Sequence, residues 1–280
     1  MTRLTTADIQ TIADDLADYD GDLVAGTGHS LKGIACRAAG ISEAQFDKTV
    51  GNLMVAVIPV TSGEGLIGKF CDAVKSISCH LGANTFITQT TDVAGLAEAF
   101  EKKADIILMS DDDRFIALHV KRCRVIDNAD ATGYGYVAGL DLMTGGLQNR
   151  DVLVLGCGPV GLGAAESLIR MGARVSVYDI DLSNSQDLAA KIKSACNSDI
   201  LIENDLETSL SEHRLIVDAS PAADIIQAHH ITPDTYISAP GVPLGLSDQA
   251  RLKISNRLLH DPLQIGVATM VARASNAKGR

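Results

Sequence analysis

Residues 151–155 read DVLVL, a short apolar strand, and run straight into Gly156-Cys157-Gly158-Pro159-Val160-Gly161, which opens a helix of small residues over 160–171. A second strand, RVSVY at 174–178, is followed by Asp179, 23 residues after Gly156. Each part of this order has a mechanical reason. Gly156 permits the tight turn, Gly158 lets the backbone reach a pyrophosphate, and Gly161 lets the helix pack closely on the strand. The helix start, with Pro159 and Val160, offers N–H groups to phosphates. A carboxylate at Asp179 accepts from a ribose 2′-hydroxyl and repels a 2′-phosphate, so the pattern predicts NAD over NADP; Asp181 is the substitute if the strand ends later. A glycine-rich turn without a ligand would account for the glycines but not for the acid. Further strands follow at 215–219 (LIVDA) and 235–238 (TYIS), and the turns after them carry Ser220 and Pro221, and Ala239, Pro240 and Gly241. At the carboxyl ends of a doubly wound sheet these turns line the groove near the nicotinamide half. The competing reading is that Pro and Gly simply close them.

At 280 residues the chain has room for roughly two domains. Its 24 basic against 35 acidic residues give a net charge of −11, which argues against nucleic acid and anionic lipid as partners. The cysteines at 36, 71, 79, 123, 157 and 196 lie far apart with no C-x-x-C pair, so neither disulfides nor a metal site is expected. The acidic, amphipathic start lacks the pattern of a signal peptide and no apolar run approaches the length of a membrane span, so a cytoplasmic protein is expected. Tryptophan is absent and aromatics are 4%, which removes the usual stacking platforms for bases and sugars.

The first half alternates strands at 53–60, 85–88 and 105–110 with helices at 66–80 and 92–103, a pattern that predicts a parallel sheet. Residues 129–146 read as a connecting helix, though Gly133, Gly135 and Gly139 weaken it. The expected architecture is α/β with two lobes: a substrate and catalytic domain over 1–149, a Rossmann-type NAD-binding domain over 150–245, and a helical segment over 246–280 in which 265–275 returns to the first lobe. A cleft between the lobes is expected.

In the first lobe, VIPVTSGEGLIGKF places Thr61, Ser62, Gly63 and Gly65 between a strand and a helix. Two hydroxyls, two glycines and a helix start make an anion pocket suited to a carboxylate, while the plainer reading is helix capping by Thr61 or Ser62. The third strand ends in Asp111-Asp112-Asp113, of which at least one should point inward because successive strand side chains alternate. Such acids attract an ammonium group; magnesium would need further ligands, and a solvated turn is the plainer alternative. The seven histidines form no triad spacing, and only His229 and His230 are adjacent. No G-x-S-x-G elbow, Walker lysine or kinase set is present, which excludes the hydrolases and phosphotransferases those motifs mark.

In that order, IPVTSGEGLIGKF, ILMSDDDRF, VLVLGCGPVGLGAA, DASPAAD, SAPGVP and DPLQIGVATM resemble the PylD dehydrogenase family of pyrrolysine biosynthesis over nearly the whole chain. One departure is DDDR where the family has DDR, which leaves the role open between Asp111 and Asp112. The resemblance implies NAD-dependent oxidation of the terminal amine of L-lysine-Nε-(3R)-methyl-D-ornithine, loss of ammonia to a semialdehyde, and closure of the pyrroline ring. It implies Asp111 and Asp112 as catalytic residues, with Thr61, Ser62 and Gly63 joining them to bind substrate. An alkyl ammonium has no lone pair to assist hydride departure and a neighbouring carboxylate stabilises it further, so the acids are expected to orient amines; no general base is assigned. The alternatives are an amino-acid or shikimate-type NAD(P) dehydrogenase, which would place a lysine in the cleft where this chain has only Lys69, and an NAD-binding protein without catalysis. A C2 homodimer is expected as the commonest soluble assembly.

Overall fold

The computed structural model describes residues 4–276, so the outermost ends of the expected 1–149 and 246–280 domains lie outside the described residues. Two compact units result: one from 4–22, 30–131 and 263–276, the other from 23–29 and 132–262.

The first unit begins with helices α1 (Thr6–Ile9), α2 (Ile12–Thr27, whose last turn belongs to the second unit), α3 (Leu31–Ala39) and α4 (Glu43–Val50). Ser30 and Ser42 cap α3 and α4 by accepting the N–H of Gly33 and Gln45. Then come β1 (Met54–Ile58), α5 (Phe70–His80), β2 (Asn84–Ile87), α6 (Asp92–Glu101), β3 (Ile106–Ser110), β4 (Phe115–His119) and β5 (Arg124–Asp127). The sheet order is β2-β1-β3-β4-β5. Both faces of β1 are buried: Ala56 and Ile58 pack with Ile107 and Ala99 of α6, and Val55 and Val57 fill the other side. That double burial is why the strand reads as a continuous apolar run.

Two expectations for this unit are corrected. The sheet is mixed, because β4 and β5 pair antiparallel with β3 and with each other. The helix expected at Leu66 begins at Phe70, because Gly65 (φ 81°) and Lys69 (φ 70°) are left-handed and a right-handed helix cannot run through them.

The second unit holds α7 (Asn128–Thr144, from residue 132 onward), β6 (Asp151–Leu155), α8 (Pro159–Arg170), β7 (Arg174–Tyr178), α9 (Leu182–Cys196), β8 (Leu201–Ile202), α10 (Leu206–Glu212), β9 (Leu215–Asp218), β10 (Tyr236–Ser238), α11 (Asp248–Ile254) and β11 (Leu258–Leu259). All six strands are parallel, in the order β11-β10-β9-β6-β7-β8. Counted along the chain this is 6-5-4-1-2-3, the doubly wound dinucleotide-binding order, with its switch point between β6 and β9.

The units divide near residue 131 rather than 149. Val137 and Leu140 of α7 share a core with β6 and α8, and a Cβ on Gly133 would stand 2.5 Å from the Ala164 nitrogen. Gly133, one of the glycines that weaken α7 as a helix, therefore lets it lie on α8, while Gly139 makes room for Leu259. Residues 246–262 also belong to the second unit, where Leu246, Ala250 and Ile254 pack with Leu155 and Ile237. The closing helix α12 (Gln264–Ser275) belongs to the first unit, buried on almost every side against α3, α5, β4 and β5. A helix apolar all round suits such an interior position.

Candidate active site

In the second unit, the turn after β6 is built by steric necessity. Gly156 has φ 85°, and a Cβ there would lie 2.9 Å from Ala219 backbone atoms and from the Ser220 Cα. A Cβ on Gly161 would collide with the Gly156 carbonyl oxygen, so the first turn of α8 sits directly on the strand end. Gly158 is the opposite case: it is exposed, it precedes the helix, and nothing lies within 4 Å of its missing Cβ. Pro159 occupies the first helical position, and Val160 is half-buried behind it. The open backbone at Gly158 and the unpaired N–H groups of a helix start fit a dinucleotide pyrophosphate.

Asp179 lies at the tip of β7 with one carboxylate oxygen accepting the Cys157 N–H at 2.8 Å and the other accepting from Asp181 N (3.0 Å) and Asn184 Nδ2 (3.1 Å). The acid thus touches the glycine turn itself. Asp181, the substitute, is committed elsewhere: it caps α9 through Ser183 N–H and hydroxyl, and those bonds hold its carboxyl below the ordinary range.

The turns after β9 and β10 meet edge to edge. Gly241 N–H donates to the Asp218 carbonyl at 3.1 Å, and a Cβ on Gly241 would run into the Ser220 carbonyl oxygen. Ser220 donates its hydroxyl to Asp218 Oδ1 at 2.7 Å, Pro221 is exposed, Pro240 is half-buried, and the buried Ala239 accepts from His260 Nδ1 at 2.7 Å. Asp218, which these turns enclose, is not singled out by the sequence reading. It is fully buried, and burial pushes its carboxyl up to about 6. An acid closing the apolar strand LIVD was the available signal.

In the first unit, the loop at 61–65 and the acids at 111–113 come together. Asp112 accepts the Glu64 N–H at 2.7 Å, and its carboxylate fills the place a Cβ on Gly63 would occupy. Gly63 has φ 69°, so both conformation and space require glycine there. Thr61 donates its N–H (2.8 Å) and hydroxyl (2.6 Å) to Asp92, whose carboxyl is held low by these bonds, and Ser62 is left exposed. Neither hydroxyl caps α5. With that helix starting at Phe70, the expected pocket at a helix start is instead a free-standing loop braced by two acids.

Asp111 accepts the N–H groups of Asp113 (2.9 Å) and Arg114 (2.8 Å), which shapes the β3–β4 hairpin turn. Arg114 forks onto Asp127 at 3.0 and 2.9 Å and ties the hairpin to β5. Asp113 is exposed. Lys69 is exposed beside Asp72.

Away from these loops, Glu207, His229 and His230 gather three ligand-type atoms within 4.8 Å of one another. His230 Nδ1 accepts the Gln227 N–H at 2.9 Å, so its Nε2 carries the proton and faces Glu207 at 3.0 Å. The Nδ1 lone pair of the buried ring is thus spent on the Gln227 N–H and is not offered to a cation. Among the described residues no helix is long and apolar enough to cross a membrane.

Residues 8–126 match the family described as Pyrrolysine biosynthesis protein PylD, N-terminal domain, and residues 131–233 match the Alanine dehydrogenase/PNT, C-terminal domain. The pyrrolysine synthase of Methanosarcina acetivorans is 31% identical over 273 residues, covering 97% of this chain and 98% of its own. That of Methanosarcina barkeri is 32% identical over 273 residues, 97% of each chain. Among solved structures, quinate dehydrogenase from Corynebacterium glutamicum in complex with NAD shares the fold at a TM-score of 0.57 and 15% identity, over 80% of this chain and 93% of that one. With a dinucleotide-binding turn in one unit, a braced acidic loop in the other and this likeness along its whole length, the chain belongs to the PylD family of pyrrolysine biosynthesis, an oxidoreductase on a Rossmann-type fold.

Proposed function

We propose that the protein uses NAD to oxidise the terminal amine of L-lysine-Nε-(3R)-methyl-D-ornithine and releases pyrrolysine. The observation that carries this reading is the likeness to two pyrrolysine synthases over 97% of the chain. Bound NAD supplies the hydride acceptor. The amine carbon loses a hydride and becomes an imine; water adds and ammonia leaves, giving the semialdehyde. The ornithine α-amine then condenses with that aldehyde and returns the water. With its amines neutral, substrate and NAD therefore yield pyrrolysine, NADH and ammonium, and any proton an ammonium group carries beforehand goes to water.

The chain's own residues divide the work. Gly156, Gly158, Pro159, Val160 and Gly161 hold the pyrophosphate, and Asp179 receives the adenosine ribose. The acid favours NAD because its two oxygens, already aimed by Cys157, Asp181 and Asn184, repel a 2′-phosphate. The turns Ser220–Pro221 and Ala239–Gly241 take the nicotinamide half. In the first unit, Asp112, bound at Gly63 and Glu64, presents a carboxylate suited to hold an amine, while the exposed Ser62 is left to meet a carboxylate. Asp111, engaged in the hairpin turn, supports Asp112. A carboxylate stabilises ammonium, so these acids orient the amine and the proton leaves to water.

The same reading has the enzyme act as a cytoplasmic homodimer on a free small molecule. Light scattering at micromolar concentration checks the assembly, a monomer mass contradicting it. Incubating the purified protein with the lysine–methylornithine substrate and NAD tests the reaction: pyrrolysine and NADH should form together, and NADP should replace NAD poorly.

A further inference from the structure

Asp218 is costly to keep. It lies at the carboxyl end of β9 beside the switch point, fully buried, with Oδ2 lacking a hydrogen-bond partner and pressed where a Cβ on Gly245 would be. Oδ1 accepts the Ser220 hydroxyl at 2.7 Å and the Ser220 N–H at 3.2 Å. The Ser220 Cα in turn abuts Gly156, the first glycine of the dinucleotide turn. Two glycines, 241 and 245, admit the strand end and its acid so closely that no other residue would fit without displacing them. A buried carboxyl with such exclusive surroundings marks a functional position more than a structural one.

A serine hydroxyl has one proton and two lone pairs, and which of them faces a ligand depends on where the proton is held. We propose that Asp218 is a positioning residue for the nicotinamide half of the dinucleotide: by taking the Ser220 proton it presents Ser220 to the groove as a hydrogen-bond acceptor. The inference rests on the NAD reading above and names a residue and a polarity which that reading does not contain. An acceptor at this place suits the carboxamide N–H₂ of the nicotinamide, which ADP-ribose lacks, whereas the adenosine half is held by Gly156–Gly161 and Asp179. When Asp218 is neutral it no longer demands the Ser220 proton, and the hydroxyl is released to turn its proton outward.

Calorimetric binding of NAD and of ADP-ribose, which lacks nicotinamide, separates the two halves. Asp218→Asn should weaken NAD by about tenfold, the factor that one hydrogen bond of ~1.4 kcal/mol represents, and leave ADP-ribose unchanged. Ser220→Ala, at a half-exposed turn, should show the same selective loss, and Ser220→Thr should restore NAD binding. In the wild type NAD affinity should fall below about pH 6 and ADP-ribose affinity should not. The Asn variant should be flat. Desolvation is the largest cause of the upward shift at Asp218, and the hydrogen bonds from Ser220 oppose it. The titratable His260 on the neighbouring turn is retained in every variant, so a slope surviving in Asp218→Asn would belong to it and would overturn the assignment. Equal loss of NAD and ADP-ribose in both variants would reduce Asp218 to a structural role, and unchanged NAD binding in Ser220→Ala would also overturn the proposal. A wild type that binds neither ligand would remove the NAD reading itself and this inference with it.

Discussion

The carboxylate of Asp112 stands where a side chain on Gly63 would begin, with Oδ2 2.7 Å from the Glu64 nitrogen. A hairpin tip and a loop 48 residues earlier in the chain are thereby held as one surface. Gly63→Ala should displace that acid and strain a left-handed backbone, at about 1 kcal/mol or more of stability. Asp112→Ala should lower kcat/KM at least about tenfold, since ~1.4 kcal/mol of lost positioning already does so. Asp111→Ala, which removes the acceptor for two turn N–H groups, should cost about 1 kcal/mol in the melt and affect turnover less. Kinetics and melts on the three variants check this, and full activity in Asp112→Ala would remove Asp112 from the substrate site.

Asp179 bears on cofactor choice. Asp179→Ala deletes the repulsion toward a 2′-phosphate and the brace on Cys157 N–H together. NAD should weaken, and the preference for NAD over NADP should shrink by about tenfold, by direct titration of both nucleotides. A wild type that prefers NADP would show the ribose assignment to be wrong.

The buried acid also leaves a signature in stability. Asp218 has its folded-state pKa raised from 3.8 to about 6, so the folded chain binds this proton more tightly than the unfolded chain. That contribution is present at low pH, is lost as pH rises from about 4 to about 6, and amounts to on the order of 3 kcal/mol. The melting temperature of Asp218→Asn relative to wild type should therefore climb across this window and level off above it. A difference that stays constant from pH 4 to pH 8 would mean that Asp218 ionises as an ordinary carboxyl.

Tyr136 is fully buried on α7, where its hydroxyl donates to the Asp261 carbonyl at 2.6 Å and accepts the Asp261 N–H at 2.8 Å. Burial drives its own ionisation far above the ordinary range. Tyr136→Phe removes both hydrogen bonds and should cost about 1–3 kcal/mol by denaturant titration, with the slope unchanged.

The dinucleotide turn was legible because two of its glycines answer to close neighbours, Gly161 to Gly156 and Gly156 to Ser220, while Gly158 keeps the backbone open. Asp218 was not, because its burial depends on Gly241 and Gly245 closing over it from a later turn. The hairpin of β4 and β5 escaped notice since its strands are short and β4 alternates buried and half-buried positions, unlike the solid apolar runs around it. The start of α5 was misread by four residues because apolar spacing over 66–70 says nothing of a left-handed Lys69. Acids read as a cluster at 111–113 proved to have separate duties, one shaping a turn, one bracing a loop and one in solvent, a division set by hairpin geometry rather than by residue type.

The most direct test of the central claim is mass spectrometry of the product formed from L-lysine-Nε-(3R)-methyl-D-ornithine and NAD, with NADH followed in the same sample. Pyrrolysine, lighter than the substrate by ammonia and two hydrogens, should appear in step with NADH and released ammonium. Unchanged substrate in the presence of bound NAD, or NADH formed with a product that retains the terminal nitrogen, would contradict the account.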